Sequence, residues 1–189
     1  MGVRLRNEEG FLLIELIAAT VILSVALLAL LGAYDEAWFS LRSGAKDSSA
    51  GMIANNQLEL YASLQYSSIG LDATTLTSTK ASDTTYVSDE AALPVPANTT
   101  ASDATTSCGS SAQCLPVQTV KGADGKSYRL ETFIRLITNV STCPNQDATQ
   151  CSASPWKEKV VTVIVRDPSK TGNPKVVTLQ TAFDQGPSS

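Results

Sequence analysis

The 189 residues include no histidine. That absence removes the commonest general base and the commonest metal ligand, and it excludes Ser-His and Cys-His catalysis and the usual zinc-hydrolase sites. Charge is scarce as well, at 17% of residues against about 25% in ordinary soluble domains. Lys and Arg number 14 against 18 Asp and Glu, a net charge of -4, so no basic footprint points to nucleic acid. Phosphate-loop, dinucleotide-binding and nucleophile-elbow patterns are missing too. Asp124, Asp167 and Asp184 lack the dense Asp/Asn spacing of a calcium loop, and turn-forming or exposed roles are expected for them. The expectation is therefore a protein that is not an enzyme, with no catalytic residues, no metal and no cofactor.

What is present begins with an apolar run. Residues 11–33 are apolar except for Glu15, Thr20 and Ser24. As a helix, a run of this length spans a hydrocarbon core of about 30 Å. It exceeds the roughly 7–15 apolar residues of a secretory signal, and no small-residue cleavage site follows it. A membrane-spanning helix is expected. Arg4 and Arg6 precede it and favour a cytoplasmic N-terminus, with the remainder sent outward. Four cysteines, Cys108, Cys114, Cys143 and Cys151, all lie downstream. An even count at short spacings suits disulfides in an oxidising compartment. Three connectivities are open; local pairing of Cys108 with Cys114 and of Cys143 with Cys151 is expected. The alternative is reduced or metal-bound thiols, although the spacings are wider than the paired Cys-x-x-Cys of a zinc site. Glu15 stands out, because a glutamate near a bilayer core costs about 2.5–3.5 kcal/mol and is usually paired or functional.

The stretch EEGFLLIELIAATVIL, residues 8–23, resembles the N-terminal signal of type IV prepilins and type II secretion pseudopilins. In that family a short polar leader ends in Gly, Phe follows, and the hydrophobic helix carries Glu at its fifth position. The resemblance covers roughly residues 1–33 and makes Gly10 the last leader residue and Phe11 the first of the mature chain. It implies that a prepilin peptidase cuts between Gly10 and Phe11 and methylates the new amine of Phe11. It further implies that the mature subunit waits in the inner membrane among lipids, head outside, until an assembly platform draws it into an extracellular or periplasmic filament. There Glu15 meets the N-terminal amine of a neighbouring subunit, in keeping with the rule that a carboxylate in an apolar core is tolerable when paired. Leu12 stands where the family commonly has Thr, and Gly32 where many major pilins have a kinking proline. The ending LSVALLALLGA looks more like a minor pilin or a pseudopilin.

Beyond the span, residues 34–66 contain no proline and continue the helix in amphipathic form. Trp38, Leu41, Ala45, Met52, Ile53, Leu60 and Leu64 recur mostly at spacings of 3, 4 or 7, an apolar stripe suited to lie on a sheet. Gly44 and Gly51 each cost about 1 kcal/mol relative to Ala and mark places where the helix is expected to bend or melt. Residues 67–114 are rich in Ser, Thr and Ala, a composition that favours a variable, solvated loop. After them, LPVQTV and SYRLETFIRLIT flank a turn at Asp124-Gly125, and EKVVTVIVRD and PKVVTLQTAF form a second hairpin. Tyr128, Leu130, Ile134 and Leu136 alternate with Arg129, Glu131 and Arg135, the signature of one buried and one wet face.

The expected architecture is α+β: a long N-terminal helix, half transmembrane and half amphipathic, packed on a four-stranded antiparallel sheet, pilin-like. Its segments are a leader (1–10), a transmembrane and polymerisation helix (11–33), its amphipathic continuation (34–66), the variable loop (67–114) and the sheet (115–189). The expected function is a structural subunit, a minor pilin, whose partners are other pilin subunits, the peptidase and the assembly platform, with no nucleic acid. Alternatives are a type II secretion pseudopilin, a DNA-uptake pilin, or a membrane-anchored extracytoplasmic binding or sensor domain that never polymerises.

Overall fold

A computed structural model describes residues 9–97, 99–108, 111–139 and 157–185; for residues 9–12 and 139 it describes the backbone alone. The protein is α+β, with a long N-terminal helix packed on an antiparallel sheet. It divides into two compact units, residues 1–45 and 46–189. The first is the N-terminal part of helix α1, which runs unbroken over Glu9–Ala62. Gly44 and Gly51 lie within it and do not interrupt it; the neighbouring turns supply the hydrogen bonds that two weak helix formers do not forbid.

In the second unit α1 packs through Ser49, Ala50, Ile53, Ala54, Gln57 and Tyr61, all buried. They recur every three or four positions, the spacing of one helix face. This corrects the expected stripe. Of the seven residues in it only Ile53 is buried and Leu64 partly so, whereas Trp38, Leu41, Met52 and Leu60 are exposed. Size is the reason. Ala50 and Ala54 are 0% exposed and let the helix backbone approach the sheet closely, which larger side chains at those positions would prevent.

Among the described residues the main sheet has five strands. The four expected ones are all present: β4 (Val117–Lys121), β5 (Ser127–Asn139), β6 (Lys157–Arg166) and β7 (Lys175–Asp184). The fifth, β2 (Thr99–Asp103), comes from the Ser/Thr-rich segment and pairs with the C-terminal half of β5, while β4 pairs with its N-terminal half. All five are antiparallel to their neighbours, and β7 is an edge. The β4–β5 turn is where Asp124-Gly125 placed it. Gly125 has φ of +78°, and the Asp124 carboxylate accepts from the Lys126 amide at 3.1 Å and the Tyr128 hydroxyl at 2.7 Å.

Other parts of the segment expected to be a solvated loop also form regular elements. It contains the two-residue strands β1 (Leu71–Asp72) and β3 (Thr105–Thr106), which pair in parallel, and helices α2 (Ala73–Ser82) and α3 (Thr84–Ala91). Asp72 caps α2 by accepting from the Thr75 amide at 3.0 Å, and Asp83 caps α3 through the Tyr86 amide at 3.0 Å. A Ser/Thr-rich sequence thus obtains helices from its scattered aspartates, which satisfy N-terminal amides that would otherwise be orphaned. Gly70 lies so close to β3 that a Cβ there would meet the Thr105 carbonyl carbon at 2.9 Å.

These helices cover the second face of the sheet. Tyr86 of α3 stacks on Phe133 with ring centroids 4.4 Å apart and donates to the Thr132 carbonyl at 2.8 Å. Arg129 and Phe133 of β5 face α3, and the alternate residues Leu130, Thr132 and Ile134 are buried too, on the opposite face. The head therefore has three layers, and the expectation of one wet face is corrected: Glu131 is 0% exposed and Ile164 is 1% exposed.

Candidate assembly helix and the ion network of the head

Gly10 and Phe11 lie in the N-terminal end of α1 as described, and Glu15 follows one turn on. From Leu13 to Leu31 every large apolar side chain is more than half exposed, and the helix from Leu13 is long and apolar enough to cross a membrane. The two hydroxyls in this stretch are satisfied by the helix itself. Thr20 donates to the Ile17 carbonyl at 2.9 Å and Ser24 to the Thr20 carbonyl at 2.7 Å, the arrangement that makes Ser and Thr tolerable in hydrocarbon. Glu15 differs: its side chain is exposed and has no ion-pair or hydrogen-bond partner among the described residues. A carboxylate accepts hydrogen bonds only, and the helix around this one offers it no donor.

The head holds the opposite case, a set of charges fully paired within the chain. Arg129 of β5 binds Asp83, the cap of α3, and Glu131 at 2.6 Å. Glu131 accepts from Arg166 of β6 at 3.2 Å, and Arg166 also binds Asp89 of α3. Lys175 of β7 completes the row at 2.9 Å from Asp89. Three acids alternate with three cations, so the row neutralises itself. Burial pushes Glu131 above the ordinary carboxylate range, with the two guanidiniums pulling it back. Asp83 and Asp89 lie below that range; burial raises each, and their hydrogen bonds and arginine partners outweigh it. Beside this row Lys80 of α2 joins Glu90 at 2.7 Å and Asp103 of β2 at 2.6 Å. Arg135 donates to the Glu90 carbonyl and, at 3.2 Å, to that of Leu93. The geometry fastens the α2–α3 layer to the sheet.

No protein-family model, curated protein or solved structure matches the chain.

Of the expected disulfides, Cys108–Cys114 is formed, with Cα atoms 6.1 Å apart. Cys143 and Cys151 lie outside the described residues. The bridge anchors the turn entering β4. Next to Cys114, the Gln113 carbonyl accepts the hydroxyl of Tyr61, which Gln57 also reaches at 3.3 Å. Burial pushes the Tyr61 phenol up to about 12, so it stays a donor at any physiological pH. Asp167 has the turn-forming role expected of it, accepting from the Ser169 amide at 3.0 Å, but it is only 4% exposed and bonds to Lys46 at 2.8 Å. Lys159 is likewise buried, donating to the carbonyls of Tyr66 at 2.7 Å and Ile69 at 2.6 Å beyond the end of α1. Neither lysine carried a sequence signal: a Lys inside a strand or helix reads as solvent-facing until its partner is located.

Proposed function

We propose that the chain is a structural subunit of a type IV pilus or related filament, a minor pilin cut between Gly10 and Phe11 and assembled through its N-terminal helix. The observation that carries this reading is the junction itself: Gly10, then Phe11, then Glu15 at the fifth mature position of an apolar helix. An ordinary membrane anchor has no use for a cleavage point before its apolar run or for an unpaired carboxylate inside it. Support also comes from the unbroken course of α1 out of the apolar stretch and into the core of an α+β head.

On this reading the role is mechanical rather than enzymatic. Before assembly the apolar part of α1 lies in the inner membrane, with the N-terminus in the cytoplasm and the head outside. In the filament the Phe11 amine of one subunit neutralises Glu15 of another, which removes the cost of an unpaired charge in an apolar core. The extra α2–α3 layer gives the head a surface of its own on the filament.

Mass spectrometry of the mature N-terminus tests the proposal in a cell that has prepilin peptidase. A chain beginning at N-methylated Phe11 is expected. A chain that retains residues 1–10 in such a cell overturns the reading.

A further inference from the structure

The apolar part of α1 does not end abruptly. Tyr34, Trp38 and Phe39 follow it directly and are 66%, 57% and 75% exposed. At 1.5 Å per residue they lie about 1.5, 7.5 and 9 Å along the axis beyond Ala33, the last apolar residue of the span. The headgroup zone on each side of a bilayer is about 5–8 Å deep, and a tilted helix crosses it over a longer path. The three rings therefore fall at the level where the chain passes from hydrocarbon to water.

Two observations point to lipid rather than to a protein partner as the occupant. First, the rings do not share a face. At about 100° per residue, Trp38 is turned about 40° from Tyr34 and Phe39 about 140°, so together they form a partial girdle instead of a stripe. A partner helix takes one stripe, whereas a lipid interface surrounds the helix. Secondly, the girdle continues a surface that is already exposed on all sides, since the apolar window of α1 has none of its residues buried. Tyr and Trp suit the boundary because each joins an apolar ring to one polar hydrogen. Asp35, Glu36 and Arg42 are interleaved with the rings or follow them, so the surroundings are polar without a basic cluster that would select anionic lipid.

We propose that Tyr34, Trp38 and Phe39 form an interfacial girdle that seats the C-terminal end of the apolar span at the headgroup–acyl boundary of a phospholipid bilayer. The girdle sets the depth of the helix and holds it against sliding toward either side. It is independent of filament assembly and requires only that α1 cross the membrane.

Fluorescence from Trp38 tests this. The chain has two tryptophans, so Trp156→Phe leaves Trp38 as sole reporter in the full-length protein. The variant is reconstituted at low protein density in phosphatidylcholine vesicles whose acyl chains are brominated either near the glycerol or near their ends. The expected result is blue-shifted emission that shallow bromines quench more than deep ones, unchanged by added salt. Stronger quenching by deep bromines, or a water-like spectrum untouched by either, overturns the girdle. So does emission that responds to protein density but not to bromine, which assigns the rings to a second copy of the helix. Should Trp156→Phe fail to fold, the difference between the wild-type protein and Trp38→Phe gives the same comparison.

Discussion

Glu131 and Arg166 sit on neighbouring strands of the sheet, 3.2 Å apart, with the glutamate side chain 0% and the arginine side chain 8% exposed. The pair lies between the sheet and α3, where water does not reach the carboxylate. Glu131 also receives Arg129, so one anion serves two guanidiniums. Removing it leaves each arginine with one acid in place of two, inside a desolvated layer. Breaking a buried pair from one side costs about 3–5 kcal/mol. Glu131→Leu is expected at the lower end, about 3 kcal/mol, because Asp83 and Asp89 remain. For a chain of this length that is a fall of about 6–12 °C in the melting temperature of the head. Near-ultraviolet circular dichroism of the full chain in detergent micelles measures it, and an unchanged melting temperature would mean that the ion row does not hold the layer.

Lys46 and Asp167 make a second link, this time between α1 and the β6–β7 turn. The lysine, together with Ser169, holds the Asp167 carboxyl at about 2. A carboxyl whose folded value is depressed adds stability above its unfolded value, near 3.9, and loses it as pH falls through the folded value. The contribution of this pair is therefore present at neutral pH and disappears between about pH 4 and pH 2. Other carboxyls titrate in the same window, so the comparison that isolates the pair is with Lys46→Met. That variant is expected to be less stable than the wild-type protein at pH 6 and to converge on it by pH 2. Parallel stability curves across that range would show that the link adds nothing.

How the helix meets the sheet explains which parts of the fold were legible. The four strands could be read because Val161, Val163 and Val165, or Leu130 and Ile134, repeat with period two wherever they are packed. The apolar helix, long enough to cross a membrane, was legible from the length of its run alone. Most of the packing face of α1 was not, because Ile53 and Tyr61 share it with Ser49, Ala50, Ala54 and Gln57, residues that carry little hydropathy and succeed by being small or hydrogen-bonded. Large apolar residues such as Met52 attract attention and yet face solvent. The buried row of charges was invisible for a related reason. Arg129 and Glu131 look like the wet side of a strand until Asp83, the cap of α3, and Asp89 within it are known to lie over them.

The same contrast can be measured on α1. Ala54 is 0% exposed against the sheet, and Met52, two residues away, is 54% exposed. Ala54→Leu forces extra methylenes into a closed contact and is expected to destabilise the head by about 1–3 kcal/mol. Met52→Ala is expected to stay within about 0.5 kcal/mol of the wild-type protein. Chemical denaturation of both variants checks the pair of values. If the order is reversed, the stripe read from hydropathy packs on the sheet after all.

Glu15 offers the sharpest separation between anchoring and assembly. In a bilayer an ionised glutamate is a burden, at most about 2.5–3.5 kcal/mol if it sat at the centre, so Glu15→Val can only favour insertion. A loss of filament incorporation by that variant therefore cannot be blamed on a failure to enter the membrane. The expected outcome is a full membrane-fraction signal with little or no protein in the sheared filament fraction, measured by immunoblot of both. Glu15→Gln distinguishes charge from polarity: it keeps a hydrogen-bonding group but cannot neutralise an amine, and it is expected to behave like the valine variant. Should Glu15→Val assemble at wild-type levels, the carboxylate has no part in subunit pairing, and the reason for placing it in an apolar helix must lie elsewhere.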